Sequence, residues 1–180
     1  MTDELASDVE RLDLRKEAGE EFKALSGAAR QAGVQSAMFG VFHDAGYKGL
    51  YGGLGSSGIK RRKLIPERDQ LMDRMNATEL AANQFRMTQA RDKLARDSVR
   101  SQQHAIATHN QVGKEVRDAI RRIGGTLPEN IPAAEPIKMW RSECAMPYPA
   151  SSWTNAMRAA SLATHETAIS SSDPGQASAA

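Results

Sequence analysis

The sequence predicts a mostly α-helical domain. It is built around one long amphipathic helix or two collinear helices, with a Gly-rich ordered loop before them and a disordered C-terminal tail. Three observations lead there. From Thr78 to Ile123 apolar residues recur at helical spacing, no proline intervenes, and the first glycine is Gly113. Hydrophobic residues make up 40% of the chain but aromatics only 5%, so alanine and methionine fill many apolar positions, as closely packed helices allow. From about Arg141 the composition turns to Ser, Ala and Thr without sustained periodicity, which is too little apolar surface to order a chain.

Taken in order, Asp3 to about Ala32 is a first helix. Leu5, Val9, Leu12, Phe22, Leu25 and Ala29 recur near the helical period, and Gly33 supplies a stop. Gly40–Gly58 holds Gly46, Gly49, Gly52, Gly53 and Gly55, a density that disfavours helix and strand and predicts a compact loop of short turns. Pro66 opens a short helix through Met75, since its missing N–H costs nothing in a first turn. Asn76, with Glu79 three residues on, forms a capping box for the long helix.

At about 100° per residue, Leu80, Phe85, Met87, Thr88, Leu94 and Ala95 share one half of that helix. Ile106, His109, Val112, Gly113, Val116, Ile120 and Ile123 continue the stripe. Burial is expected at Leu80, Phe85, Leu94, Val112, Val116 and Ile120, against Val9, Leu12, Phe22, Phe39, Phe42 and Leu50. Unbroken, the helix is about 65 Å long, a lever or docking surface. Its one weak joint lies near Asp97–Gln103. Gly124-Gly125 ends it, and Pro128, Pro132 and Pro136 make an extended exit segment. The expected division is a helical domain over 1–140 and a tail over 141–180, with a short helix around Trp153–Thr164 as the alternative within the tail.

The single cysteine, Cys144, excludes an intrachain disulfide and a cysteine-cluster metal site, and points to a reducing cytosol. No stretch approaches the roughly 20 apolar residues that span a bilayer, so no membrane role is expected. Net charge is only +2, but its distribution is uneven. Met1–Arg30 holds eight acids against five bases, whereas His43–Ile123 holds sixteen Lys and Arg against nine acids. A polyanion is therefore steered toward the middle of the chain.

Gly52–Lys60 resembles a phosphate-binding loop only superficially. Ile59 separates Gly58 from Lys60, and Arg61 stands where the magnesium-binding hydroxyl belongs. Glycines serving tight turns are the better reading. The cluster Lys60-Arg61-Arg62-Lys63 follows directly, with Tyr47 and Tyr51 nearby. Aromatic rings beside basic groups are the pattern of single-strand binding, where stacking contributes roughly 1–3 kcal/mol per base. Arg86, Lys93 and Arg100 fall at seven-residue spacing with Arg96 adjacent, away from the apolar half. Together these residues form a candidate positive track for DNA or for an acidic protein face, weighed evenly against a merely solvated surface.

His109, on the apolar stripe, reads as a hydrogen-bonded core residue, and Gly113 as a close helix crossing. Asn83 and Gln84 are placed to anchor the Gly-rich loop. His43 and His104 make no recognisable metal set, and no Ser/His/Asp set or paired carboxylate stands out. The expectation is no catalytic residue, no metal and no cofactor.

Several phrases are familiar in series. AGV at Ala32–Val34, AGYKGLYGGL ending at Leu54, RRK at Arg61–Lys63, TELAANQFR from Thr78, and TH-x-x-VG-x-x-VR leading to IGGT-x-PE-x-IP resemble the bacterial DNA-damage-inducible protein D family, in order, from about Leu5 to Lys138. The resemblance implies a role in the SOS response, tied to a RecA-type recombinase or its DNA. Family members carry an N-terminal domain of the phage-antirepressor type, and MTDELASDVERL corresponds to the middle of the family's length, so that domain is expected to be absent. The expected function is a non-enzymatic, cytoplasmic or nucleoid-associated regulator that binds single-stranded DNA or modulates recombinase filaments. The alternative is an antirepressor-like fragment acting through protein contacts alone.

Overall fold

The computed structural model describes residues 2–137, with side chains from Val9 onward. In that span five α-helices follow one another: α1 Thr2–Gln31, α2 Phe39–Leu50, α3 Ser56–Arg62, α4 Ala77–Arg96 and α5 Gln102–Arg122. Short 3-10 turns lie at Ser36–Met38, Leu71–Arg74 and Pro128–Asn130, and there is no strand among the described residues. Nor is any described helix long and apolar enough to cross a membrane. The expected disorder after Arg141, the alternative helix at Trp153–Thr164 and Cys144 all lie outside the described residues.

The joint expected near Asp97–Gln103 is present, but the chain turns back there instead of continuing straight. α4 packs on α5, α1 packs along α4, and α2 packs along α5. A helix end that reverses the chain needs a residue in the left-handed region, and Ser98 supplies it at φ 47°. Val99 N–H reaches back to the Leu94 carbonyl (3.1 Å) and Ser98 N–H to that of Ala95 (3.1 Å). Val99 is buried beside that cap. The same six-to-one backbone bond closes α1 at Gly33 (φ 85°), α2 at Gly52 (φ 62°), α3 at Leu64 (φ 55°) and α5 at Gly124 (φ 74°). Each helix is thus stopped by one device, three times with glycine and twice without it.

The Gly-rich stretch is a helix over much of its length, not a loop. Gly46 and Gly49 stand on α2 where it crosses α5 at Gly113, and a Cβ on Gly113 would lie 2.7 Å from the Gly46 carbonyl oxygen and 2.9 Å from the Leu50 nitrogen. The roughly 1 kcal/mol that each mid-helix glycine costs is offset by backbone contact that no other residue permits. Only Gly52 and Gly53 form the turn that the composition predicts, both at positive φ. Pro66 likewise opens a turn and not a helix, and Leu71–Arg74 is a 3-10 turn.

Asn76 caps α4 as expected, its side chain accepting from Glu79 N–H (2.8 Å). The Glu79 side chain turns inward instead of completing the box. Leu80, Leu94, Val112 and Val116 are buried, and Ile120 is partly so. Phe85, however, is 56% exposed. The buried face of α4 runs through Glu79, Leu80, Asn83, Arg86, Met87, Ala90 and Leu94, so three of its seven positions are polar. Phe85 lies on the far side from them. On α1, Val9 is exposed and Leu12 half-buried, while Ala18, Leu25 and Ala29 carry the contact. Arg11 ties α1 to the irregular segments, donating to the carbonyls of Met75 (2.8 Å), Asp73 (2.8 Å) and Glu135 (2.5 Å).

Candidate nucleic-acid interface

The positive track read from the sequence divides into three groups of different fate. Tyr47, Tyr51, Lys63 and Arg86 are inside the protein and unavailable to a phosphate or a base. Tyr51 donates to Glu79 (2.8 Å) and accepts from Asn83 (3.0 Å), and Lys63 forms a buried ion pair with the same Glu79. Arg86 contacts His109 and Asn83 (3.1 Å) and lies 5.1 Å from the centre of the Tyr47 ring. Burial pushes both phenols up and holds Arg86 below the ordinary guanidinium range. Asn83 donates to the Tyr51 hydroxyl (3.0 Å) and not to backbone of the Gly-rich stretch, and Gln84 bonds Glu17 (3.2 Å) instead.

Lys93, Arg96 and Arg100 stay at the surface near the α4–α5 joint, with Lys93 on Asp97 at 2.7 Å and Arg96 at 3.5 Å from the same carboxylate. Arg100 is exposed. Lys60, Arg61 and Arg62 lie toward the other end of α4, whose first turn carries the partner of Lys63. About 20 Å of helix separates Glu79 from Lys93, so these two groups form no continuous track. Lys60 is half-buried and donates to the Glu67 carbonyl (2.7 Å), while Arg61 is exposed. Arg62 reaches across to the exit segment, donating to the Glu129 carbonyl (3.0 Å) and to Asn130 Oδ1 (2.8 Å).

That exit segment connects α3 to basic residues absent from the sequence-derived set. The Glu129 carboxylate accepts two bonds from Arg117 (2.6 and 2.5 Å), which raises the Arg117 guanidinium and locks its orientation. Arg117 also donates to the Leu50 carbonyl (3.1 Å) at the end of α2. Beside it opens a groove of about 450 Å³ lined by Lys48, Gly52, Gly53, Asn110, Lys114, Arg117, Asp118 and Arg121, with the buried Gly49 packed on α5 behind them. Lys114 has no ion-pair partner among the described residues, and Arg121 meets only the exposed Asp118, at 3.2 Å. At Gly53 an added Cβ would meet nothing within 4 Å, and with Lys114 unpaired beside the paired Lys48, Arg117 and Arg121 this end of the groove admits a phosphate. Lys114, Arg117 and Arg121 share one helix face at three- and seven-residue spacing, the signal that was available in the sequence. What it lacked was the glycine turn, brought alongside only by the α2–α5 crossing.

The chain matches the family model described as the DinD C-terminal domain over residues 5–139. The chain belongs to this family. It is also 47% identical over 133 residues to DNA damage-inducible protein D of Escherichia coli (strain K12), a match covering 73% of this chain and 48% of that protein. The chain thus spans about half the length of the curated relative it matches. No solved structure matches it.

Adjoining the groove, this DinD C-terminal domain has a larger cleft of about 800 Å³ between α1, α2 and α3. Lys48 of the groove pairs with Asp44 of the cleft at 3.3 Å, so the two share a wall. Burial alone would push Asp44 up, but the Ser56 N–H (2.6 Å) and Lys48 outweigh it and hold the carboxyl low. No group of three or more His, Cys, Asp or Glu among the described residues is arranged to hold a metal ion.

Two histidines back the cleft. His109 is the hydrogen-bonded core residue expected, with Nδ1 2.9 Å from the Phe42 carbonyl, and burial followed by Arg86 lowers it well below 6.5. His43 is lowered to about 4, first by burial and then by Arg86. Both are neutral in the folded protein near neutral pH, whereas in the unfolded chain they take up protons below about 6.5. Their contribution to stability is therefore complete above about 6.5 and is lost as the pH falls, for His43 down to about 4. Glu79, raised by burial, acts in the opposite sense, but singly. The urea midpoint is expected to be lower at pH 5 than at pH 7.5, and His43→Gln to flatten the difference. Equal midpoints in the wild type would show that these histidines are protonated in the fold.

Proposed function

We propose that this chain is a non-catalytic regulator in the DNA-damage response that binds single-stranded DNA and so limits how long filaments of a RecA-type recombinase persist. Family membership and the relative's name support the response. The groove of Lys48, Lys114, Arg117 and Arg121 beside the Gly52–Gly53 turn carries the DNA reading. The buried ionisable groups Glu79, Arg86 and His109 serve internal packing, which leaves the reading one of occupation without bond cleavage.

Charge reversal tests it with a built-in control. Lys114→Glu with Arg121→Glu is expected to weaken binding of a labelled single-stranded oligonucleotide by tenfold or more, judged against roughly 0.7 log units per tenfold salt for each phosphate contacted. Lys93→Glu with Arg100→Glu, at the other end of α4, is expected to leave binding within about twofold on the same scale. Wild-type affinity should fall steeply with salt, and strands should remain intact with magnesium or manganese present. If the groove variant binds as the wild type does, the groove is only a solvated face.

A further inference from the structure

The cleft beside the groove has the chemistry of a base-binding site. Its volume of about 800 Å³ lies within the roughly 300–1,000 Å³ of small-ligand pockets. Phe22, Phe39 and His43 give it an aromatic lining, and the His43 ring lies flat against Phe22 with centroids 3.9 Å apart at 18°. Ser26 Oγ lies 2.8 Å from the Phe22 carbonyl and 2.9 Å from His43 Nε2; with the hydroxyl donating to the carbonyl, the ring Nε2–H is the donor. That assignment leaves Nδ1 as an acceptor on an uncharged ring. Asp44 adds a second acceptor, and Ser57 and Lys60 add donors. Aromatic walls with acceptors and donors at the edge suit a planar heterocycle bearing N–H and carbonyl groups better than an aliphatic chain.

Continuity with the groove selects among such heterocycles. Since Lys48 and Asp44 form the shared wall, a strand whose phosphates lie on Lys48, Lys114 and Arg121 passes the mouth of the cleft. Tyr47 and Tyr51 offer such a strand no exposed stacking platform, and the cleft is where ring surface is open. We propose that the cleft receives one unstacked base of a single strand held by its phosphates in the groove. This rests on the DNA-binding reading above and adds a separate contact to it.

The test compares two oligonucleotides of equal length and charge, one of thymidines and one with abasic sugars at its central positions. The wild type is expected to bind the thymidine strand about tenfold more tightly, equivalent to about 1.4 kcal/mol. Gly40 lines the cleft, is exposed, and a Cβ added there meets nothing within 4 Å, so Gly40→Trp can place its ring over the mouth without a backbone clash. It should erase the preference while leaving abasic-strand affinity and salt dependence unchanged. A 2-aminopurine placed centrally should change its emission on binding to the wild type and not to Gly40→Trp. Equal affinity of the wild type for both strands, with the Lys114/Arg121 reversal still weakening binding tenfold or more, would overturn the base contact and leave the phosphate reading standing. A preference that survives in Gly40→Trp would place the base elsewhere and also overturn the inference. If neither strand binds at low salt, both readings fall together.

Discussion

Gly49→Ala is expected to lower the stability of the domain by about 3 kcal/mol, at the upper end of what an overpacked contact costs. An added Cβ there would fall far inside van der Waals contact of the Asn110 carbonyl oxygen, 2.9 Å from the Gly113 Cα and 3.0 Å from the Lys114 nitrogen. All three are backbone atoms of α5, so no side-chain rotation relieves the clash and the helices must separate. Separation would also strain the Asn110 bond to the Ala45 carbonyl (2.9 Å) and the Arg117 bond to Leu50. Alanine's better helix propensity returns only about 1 kcal/mol. Gly27→Ala is the matched control. Gly27 also lies inside a helix, but an added Cβ meets nothing within 4 Å, and here the propensity gain should stand alone. Urea unfolding should move the two midpoints in opposite directions from the wild type. A Gly49→Ala midpoint equal to the wild type would show that the α2–α5 crossing is looser than its backbone distances.

The same crossing explains what the sequence concealed. Glycine density argues against a helix when each glycine is weighed as a local conformational cost, and Gly46, Gly49 and Gly113 reverse that only when paired across two helices. Helix periodicity located α4 and α5 well, and Gly33, Asn76 and Gly124 marked ends that the structure keeps. Leu64 and Ser98 gave no sign of their left-handed caps, because neither residue type favours that conformation. Phe85 puts the apolar stripe of α4 out of phase with the face that is buried. Apolar residues define a buried face only if polar residues stay out, and Glu79, Asn83 and Arg86 do not.

The candidate site residues part into buried and exposed groups for the same reason. Tyr47, Tyr51, Lys63 and Arg86 have the composition of a nucleic-acid surface, yet inside the core Tyr51 and Lys63 bond Glu79, Arg86 bonds Asn83 and His109, and Tyr47 lies against Arg86. Charge type is visible in a sequence; charge burial depends on which helices meet. Lys114 and Arg121 were visible as a helical spacing, but their value as a groove depends on Gly52 and Gly53, which lie over 60 residues away and come alongside only in the fold.

Lys63→Met is expected to cost about 3–5 kcal/mol near neutral pH, the range for breaking a buried ion pair. Lys63 and Glu79 side chains are 3% and 0% exposed, so removing the ammonium leaves a carboxylate without its counter-charge or water. Glu79 already has one oxygen, Oε2, without a partner, and burial raises it above the usual carboxylate range against the opposing pull of Lys63 and Tyr51. Without Lys63 it should rise further and become protonated in the folded state. The sign of the pH dependence follows. With a raised folded pKa, the penalty is full above that pKa and is relieved as the pH falls toward the unfolded value near 4.5. The gap between Lys63→Met and wild type should therefore narrow on acidification, although both proteins lose the contribution of His43 and His109. Adding Glu79→Gln to Lys63→Met removes the charge but keeps an oxygen to accept from Tyr51, and should recover most of the lost stability. Denaturant titrations of the wild type and both variants at two pH values decide it. A gap that stays constant with pH would mean that water reaches Glu79. A double variant no better than the single would mean that Lys63 matters for its packing and not for its charge.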